Sequence, residues 1–205
     1  MHCQTLIDSL QQDNEALLAR IKERFGSMGD AQWMWRPAPN RWNALEVLEH
    51  LNLVLAKAYV SIEKQMEQAE DDGWHPTEHY SVGWVGEFAV QLMDNSDARR
   101  YSVKLKTTKE LQPRITEGSV QQVYSTFMGH LLHFHQILER SRQLPLGKVR
   151  VRILPGSFVR FRLGDTLRFL GAHTLRHIHQ AERLLHHQDF PQTEAETQSS
   201  SESAE

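Results

Sequence analysis

Cysteine is nearly absent: Cys3 is the only one in 205 residues. One thiol cannot close an intrachain disulfide, and it excludes a zinc site built from cysteines. Long apolar runs are missing as well; none approaches the ~20 residues that a membrane span needs. The first residues, Met1-His2-Cys3-Gln4-Thr5-Leu6-Ile7-Asp8, show neither the basic start nor the apolar stretch of a secretory signal. A reducing cytoplasm is the expectation. Excess charge is small too, at a formal net of -3. It sits at the end of the chain, where residues 191–205 hold Glu194, Glu196, Glu202 and Glu205 and no basic residue. The remaining body is near neutral, which gives no electrostatic reason to expect nucleic acid or an anionic membrane as a partner. Also missing are an internal repeat, a phosphate-binding loop and any arrangement that would activate a serine or cysteine nucleophile.

What remains describes an ordinary globular chain, 40% hydrophobic and 24% charged. The length suits one domain with a sizeable core. Residues 1–190 are expected to form it. The stretch 191–205 is poor in apolar residues and is expected to be a disordered acidic tail.

Four main helices are predicted, with apolar residues at three-, four- and seven-residue spacings. The first runs from about Thr5 to Phe25, with Leu6, Leu10, Leu17 and Ile21 along its stripe. An aromatic, proline-rich loop from Trp33 to Trp42 follows. The second helix starts at Asn43, where Asn43 and Glu46 have capping-box spacing, and runs to about Glu70. Its apolar arc is wide, as befits a helix with two neighbours. The third runs from about Ser119 to Arg142 and the fourth from about Asp165 to His187. Between the second and third, Val82 to Met93 suggests a short helix and Lys104 to Pro113 an extended crossover. So long a connection suits parallel neighbours rather than a hairpin. Residues 149–153 and 158–162 alternate apolar and basic, which fits either a small hairpin around Pro155-Gly156 or an extended loop.

Histidine is abundant, with twelve in the chain. His173 and His177 are four apart on the predicted fourth helix, so their rings share one edge of its apolar stripe. Two imidazoles so placed can reach one metal ion at about 2.0–2.1 Å from each nitrogen. A third ligand must come from another helix. His50, His130 and His133 are all candidates, and spacing does not choose among them.

The segment Trp33 to Pro37, Trp42 and Leu48-Glu49-His50-Leu51, together with Phe169-Leu170-Gly171-Ala172-His173-Thr174-Leu175-Arg176-His177-Ile178-His179-Gln180, resembles the DinB/YfiT-like superfamily. That family pairs a tryptophan–proline–tryptophan opening and a His-Leu helix with a last helix bearing His-x-x-x-His and a glutamine. The stretch from Lys104 to Pro113 resembles its middle connection. The resemblance implies an all-α four-helix bundle and one divalent metal on His50, His173 and His177. Zinc or nickel is the usual metal, with manganese or iron in some members. Glu46, Arg176 and Gln180 are candidates for orienting the imidazoles, although Glu46 also has the capping role. His179 and the long 74–101 stretch depart from the commonest pattern.

Three neutral histidines leave open positions on a divalent ion, the arrangement of a catalytic rather than a closed site. Characterised members include low-molecular-weight thiol S-transferases, a thiol-adduct isomerase and assigned hydrolases. The resemblance therefore implies metal-dependent transfer or hydrolysis on a small molecule, possessed by a homodimer. The other reading is a non-catalytic helical dimer, related to stress, whose metal is structural or absent. Trp33, Trp35 and Trp42 fit the closing of one bundle end better than a ligand pocket.

Overall fold

Asn43 decides where the longest helix begins. In the computed structural model, which describes residues 1–93, 108–115, 119–153 and 159–192, its Oδ1 accepts the Glu46 amide at 2.8 Å. Glu46 Oε2 in turn accepts the Asn43 amide at 3.0 Å. The reciprocal pair satisfies two donors that a helix start would otherwise leave bare. Replacing Asn43 by alanine should cost about 0.5–2 kcal/mol of stability. Thermal unfolding of Asn43→Ala beside the parent checks this, and an unchanged midpoint would remove the cap from the account.

The helices are α1 (Cys3–Phe25), α2 (Asp30–Met34), α3 (Ala44–Asp71), α4 (Trp84–Met93), α5 (Val120–Ser141) and α6 (Leu163–Leu185). The predicted long helices all form, shifted by one or two residues at their ends. Helix α2 is a short fragment that the sequence reading left out; its last two residues, Trp33 and Met34, fall in the segment expected to be loop. No helix among the described residues is long and apolar enough to cross a membrane.

Side chains crossing between helices fix their directions. From α3 to α5, Asn52 Nδ2 donates to the Val123 carbonyl at 3.0 Å, the Tyr59 hydroxyl to the His130 carbonyl at 3.0 Å, and Arg140 pairs with Glu70. Numbers rise together, so α3 and α5 run parallel, as the long connection requires. Between α1 and α5 they run opposite: Asn14 Nδ2 donates to the Leu131 carbonyl at 2.9 Å and Arg142 reaches Asp8 at 2.7 Å. Arg20 binds Glu182 with both fork nitrogens, which sets α6 alongside α1.

Helix α3 buries a wide arc because it faces α5 on one side and α6 on the other. Leu45, Val47, Leu48, Leu51, Ala58, Ile62 and Met66 are fully buried there. Each buried leucine or isoleucine contributes roughly 1.5–3 kcal/mol of transfer free energy.

Helix α4 lies on the first turns of α6. A Cβ on Gly86 would stand 2.4 Å from Asp165 Cβ, so only glycine permits this approach. Asp165 Oδ2 accepts the Gly83 amide at 3.0 Å and Arg168 pairs with Glu87 at 2.8 Å.

One expectation between the long helices is corrected and one open alternative is decided. Lys104–Pro113 does not run plainly extended: residues 104–107 lie outside the described residues, and Lys109–Leu111 form a single 3-10 turn. The alternating segments do pair, but only as β1 (Arg150–Val151) and β2 (Phe161–Arg162), antiparallel with Arg150 opposite Arg162. Their Pro155-Gly156 turn is outside the described residues, as is the expected tail from residue 193 onward. Before it, Phe190 is buried and the Pro191 carbonyl accepts from Gln32 at 2.9 Å.

Candidate metal centre

Three imidazoles from two helices meet in the groove between α3 and α6. His50 comes from the second turn of α3. His173 and His177 come from consecutive turns of α6, where four-residue spacing stacks them on one edge. Ring centroids lie 4.6 Å apart for His173–His177, 4.7 Å for His50–His177 and 5.6 Å for His50–His173. One nitrogen from each lies within 4.8 Å of the other two. Such a group can hold a metal ion. Among the described residues no second cluster of histidine, cysteine or carboxylate side chains has this geometry.

The far sides of two rings are pinned. His50 Nδ1 lies 2.8 Å from the Leu111 carbonyl, which can only accept, so Nδ1 carries the proton. His177 Nδ1 lies 3.0 Å from Gln180 Oε1, an arrangement that again places the proton on Nδ1. Both rings therefore turn the lone pair of Nε2 to the other side, as an oriented metal-ligating histidine does. The Nδ1 of His173 is buried and has no hydrogen-bond partner among the described residues. A buried polar atom left so is costly and calls for an explanation.

Electrostatics keep the rings neutral. Burial pushes the His173 pKa well below the ordinary value, with His177, His50 and Arg176 adding to the shift. Burial, then His50, takes His177 down to about 3 despite the opposing Gln180 bond. Burial also lowers His50, against the opposing Leu111 hydrogen bond. Neutral imidazole is the state that binds metal. An orphaned buried nitrogen, three deprotonated donors and two pinned tautomers together fit a divalent ion.

Aromatic rings wall the cluster. Trp42 lies 5.0 Å from the His50 ring and 6.4 Å from that of His177, while Phe169 stacks on His173 at 5.7 Å. The three tryptophans thus divide. Trp33 is buried against Phe25 and Tyr124, and Trp35 packs on His187 and Phe190, so these close the end of the molecule. Trp42 faces the histidines.

The other candidates fall in different places. Gln180 bonds a ring of the cluster, as described. Glu46 is occupied by the Asn43 cap and by Arg36 at 3.2 Å, so its described partners are those of a helix start and not an imidazole. Arg176 sends Nη1 to the Leu92 carbonyl at 2.5 Å, tying α4 to α6 beside the cluster. His133 pairs with Glu63 at 2.7 Å and His130 lies against Tyr59, on the α3–α5 side away from the three. His179 contacts Arg20 on the α1 side of α6.

Sequence reasoning missed the Leu111 carbonyl and the Phe169 ring. Phe169 stands four residues before His173, so helical spacing carries a signal for that contact. No side-chain pattern announces a backbone carbonyl brought from 61 residues away.

A model of the DinB superfamily matches residues 13–181. The chain belongs to the DinB superfamily. No curated protein and no solved structure matches it.

Proposed function

We propose that the chain is a metal-dependent enzyme acting on a small molecule, a thiol S-transferase or a hydrolase, with its metal on His50, His173 and His177. The observation that carries this reading is the convergence of three neutral imidazoles within 4.8 Å in a member of this superfamily. In the same proposal α1, α3, α5 and α6 are the four helices of a DinB/YfiT-type bundle comprising residues 1–190. Zinc or nickel suits three nitrogen donors best, and manganese and iron are the alternatives.

Bound there, a divalent ion supplies a Lewis acid that lowers the pKa of a water or thiol held beside it. The chain's own groups do the rest. Leu111 and Gln180 hold His50 and His177 in the tautomer that offers Nε2. Trp42 and Phe169 exclude water from two sides and offer flat apolar faces to an organic substrate. All three ligands being neutral leaves the full charge of the ion for the substrate. Family analogy supports a homodimer, and the single cysteine supports a cytoplasmic location.

A cobalt-substituted protein tests the catalytic reading. Adding a low-molecular-weight thiol is expected to produce a thiolate-to-cobalt charge-transfer band, because an open position accepts the sulfur. A cobalt spectrum unmoved by thiols and by a hydroxamate would leave a closed, structural ion and end the enzyme proposal.

A further inference from the structure

At the other end of α3, roughly 30 Å along the helix from His50, an open cleft of about 770 Å³ is lined by Lys148, Arg150 and Arg162 and by no carboxylate. The helix end at Gly73 and Trp74, the loop through Tyr80 and the start of the β-hairpin build it. His75 and His79 stand on its wall. The cationic side chains are poorly compensated. Neither Lys148 nor Arg150 makes an ion pair among the described residues; Glu78, next in sequence to the lining residues Thr77 and His79, lies 3.9 Å from both His2 and His79. Lys148 Nζ sits 3.9 Å over the Trp74 ring, which holds the ammonium at the cleft without neutralising it. Arg162 donates to the Ser81 carbonyl and feels Asp165.

The hairpin register makes the arrangement costly. Arg150 is directly opposite Arg162 in the ladder, and like charges in that relation destabilise a sheet. A two-residue ladder has little with which to offset the repulsion. A bound anion would remove it, and two guanidinium forks with an ammonium match the oxygens of a phosphate group. The volume exceeds what one phosphate fills, and the rings of Trp74, Tyr80 and the two histidines line the remainder.

We propose that this cleft binds a phosphorylated small molecule through Lys148, Arg150 and Arg162. The site is separate from the histidine cluster and does not depend on the function assigned there.

Inorganic pyrophosphate is the probe, titrated calorimetrically into the full-length protein at low ionic strength. Binding is expected, weaker by at least about tenfold in Lys148→Gln/Arg150→Gln, since each charged hydrogen bond is lost. The control Lys22→Gln/Arg24→Gln removes the same charge from α1 and should bind like the parent. A second readout is thermal. Arg150→Thr should raise the midpoint without anion, by relieving the cross-strand repulsion, and lose that advantage in saturating pyrophosphate. No titration heat with the parent, or equal weakening in both double variants, would overturn the proposal. So would tight binding of a DNA duplex with none of pyrophosphate, which would assign the cleft to nucleic acid.

Discussion

Zinc added to the metal-free protein is expected to raise its thermal midpoint by roughly 5–10 °C, and His173→Ala to abolish the rise. A ligand at about a hundred times its dissociation constant stabilises by ~2.7 kcal/mol, and a chain of this size gains ~2–4 °C per kcal/mol. His173 is the ring to remove because its Nδ1 is buried without a partner among the described residues. The pH dependence follows from the lowered pKa values. In the metal-free fold, His177 takes up a proton only near pH 3, whereas an unfolded histidine does so near ~6.5. The unfolded state therefore binds more protons across that window. The stability is fully present above the unfolded value and is lost as pH falls towards the folded one. Low competition from protons should also keep zinc bound in mild acid, where an exposed histidine site releases it. A His173→Ala variant with the same zinc-dependent rise as the parent would contradict the assignment.

Gln180→Ala should weaken metal affinity about 10–100-fold, the usual effect of removing a group that orients a ligating histidine. Its Oε1 is 3.0 Å from His177 Nδ1 and fixes that ring's tautomer and angle. Gln180→Glu retains an acceptor at the same reach and should restore the affinity. A competitive chelator titration reads both values. A role in helix stability alone would leave affinity equal in all three proteins.

The long helices were legible because each repeats its apolar residues at helical spacing over many turns, and because Asn43 and Glu46 mark the start of α3. His173 and His177 were legible as a pair for the same reason. Their partner was not. His50, His130 and His133 all lie on apolar helices, and only the packing of α3 against α6 separates them. The resemblance to the family chose His50, and the structure brings that ring to the pair. The crossover was hardest to read. A 3-10 turn has no period long enough to see, yet the turn at Lys109–Leu111 delivers the carbonyl that orients His50. Glu46 shows the converse difficulty: one turn before His50, it has the right spacing for either ring or cap, and the Asn43 amide takes it.

Metal content of the purified, untagged protein, measured by elemental analysis beside a His50→Ala/His173→Ala variant, tests the central claim most directly. About one divalent ion per chain is expected in the parent and none in the variant, as a single three-histidine site requires. A parent that holds no metal even after incubation with zinc, nickel and manganese, or a variant that keeps its metal, would contradict it.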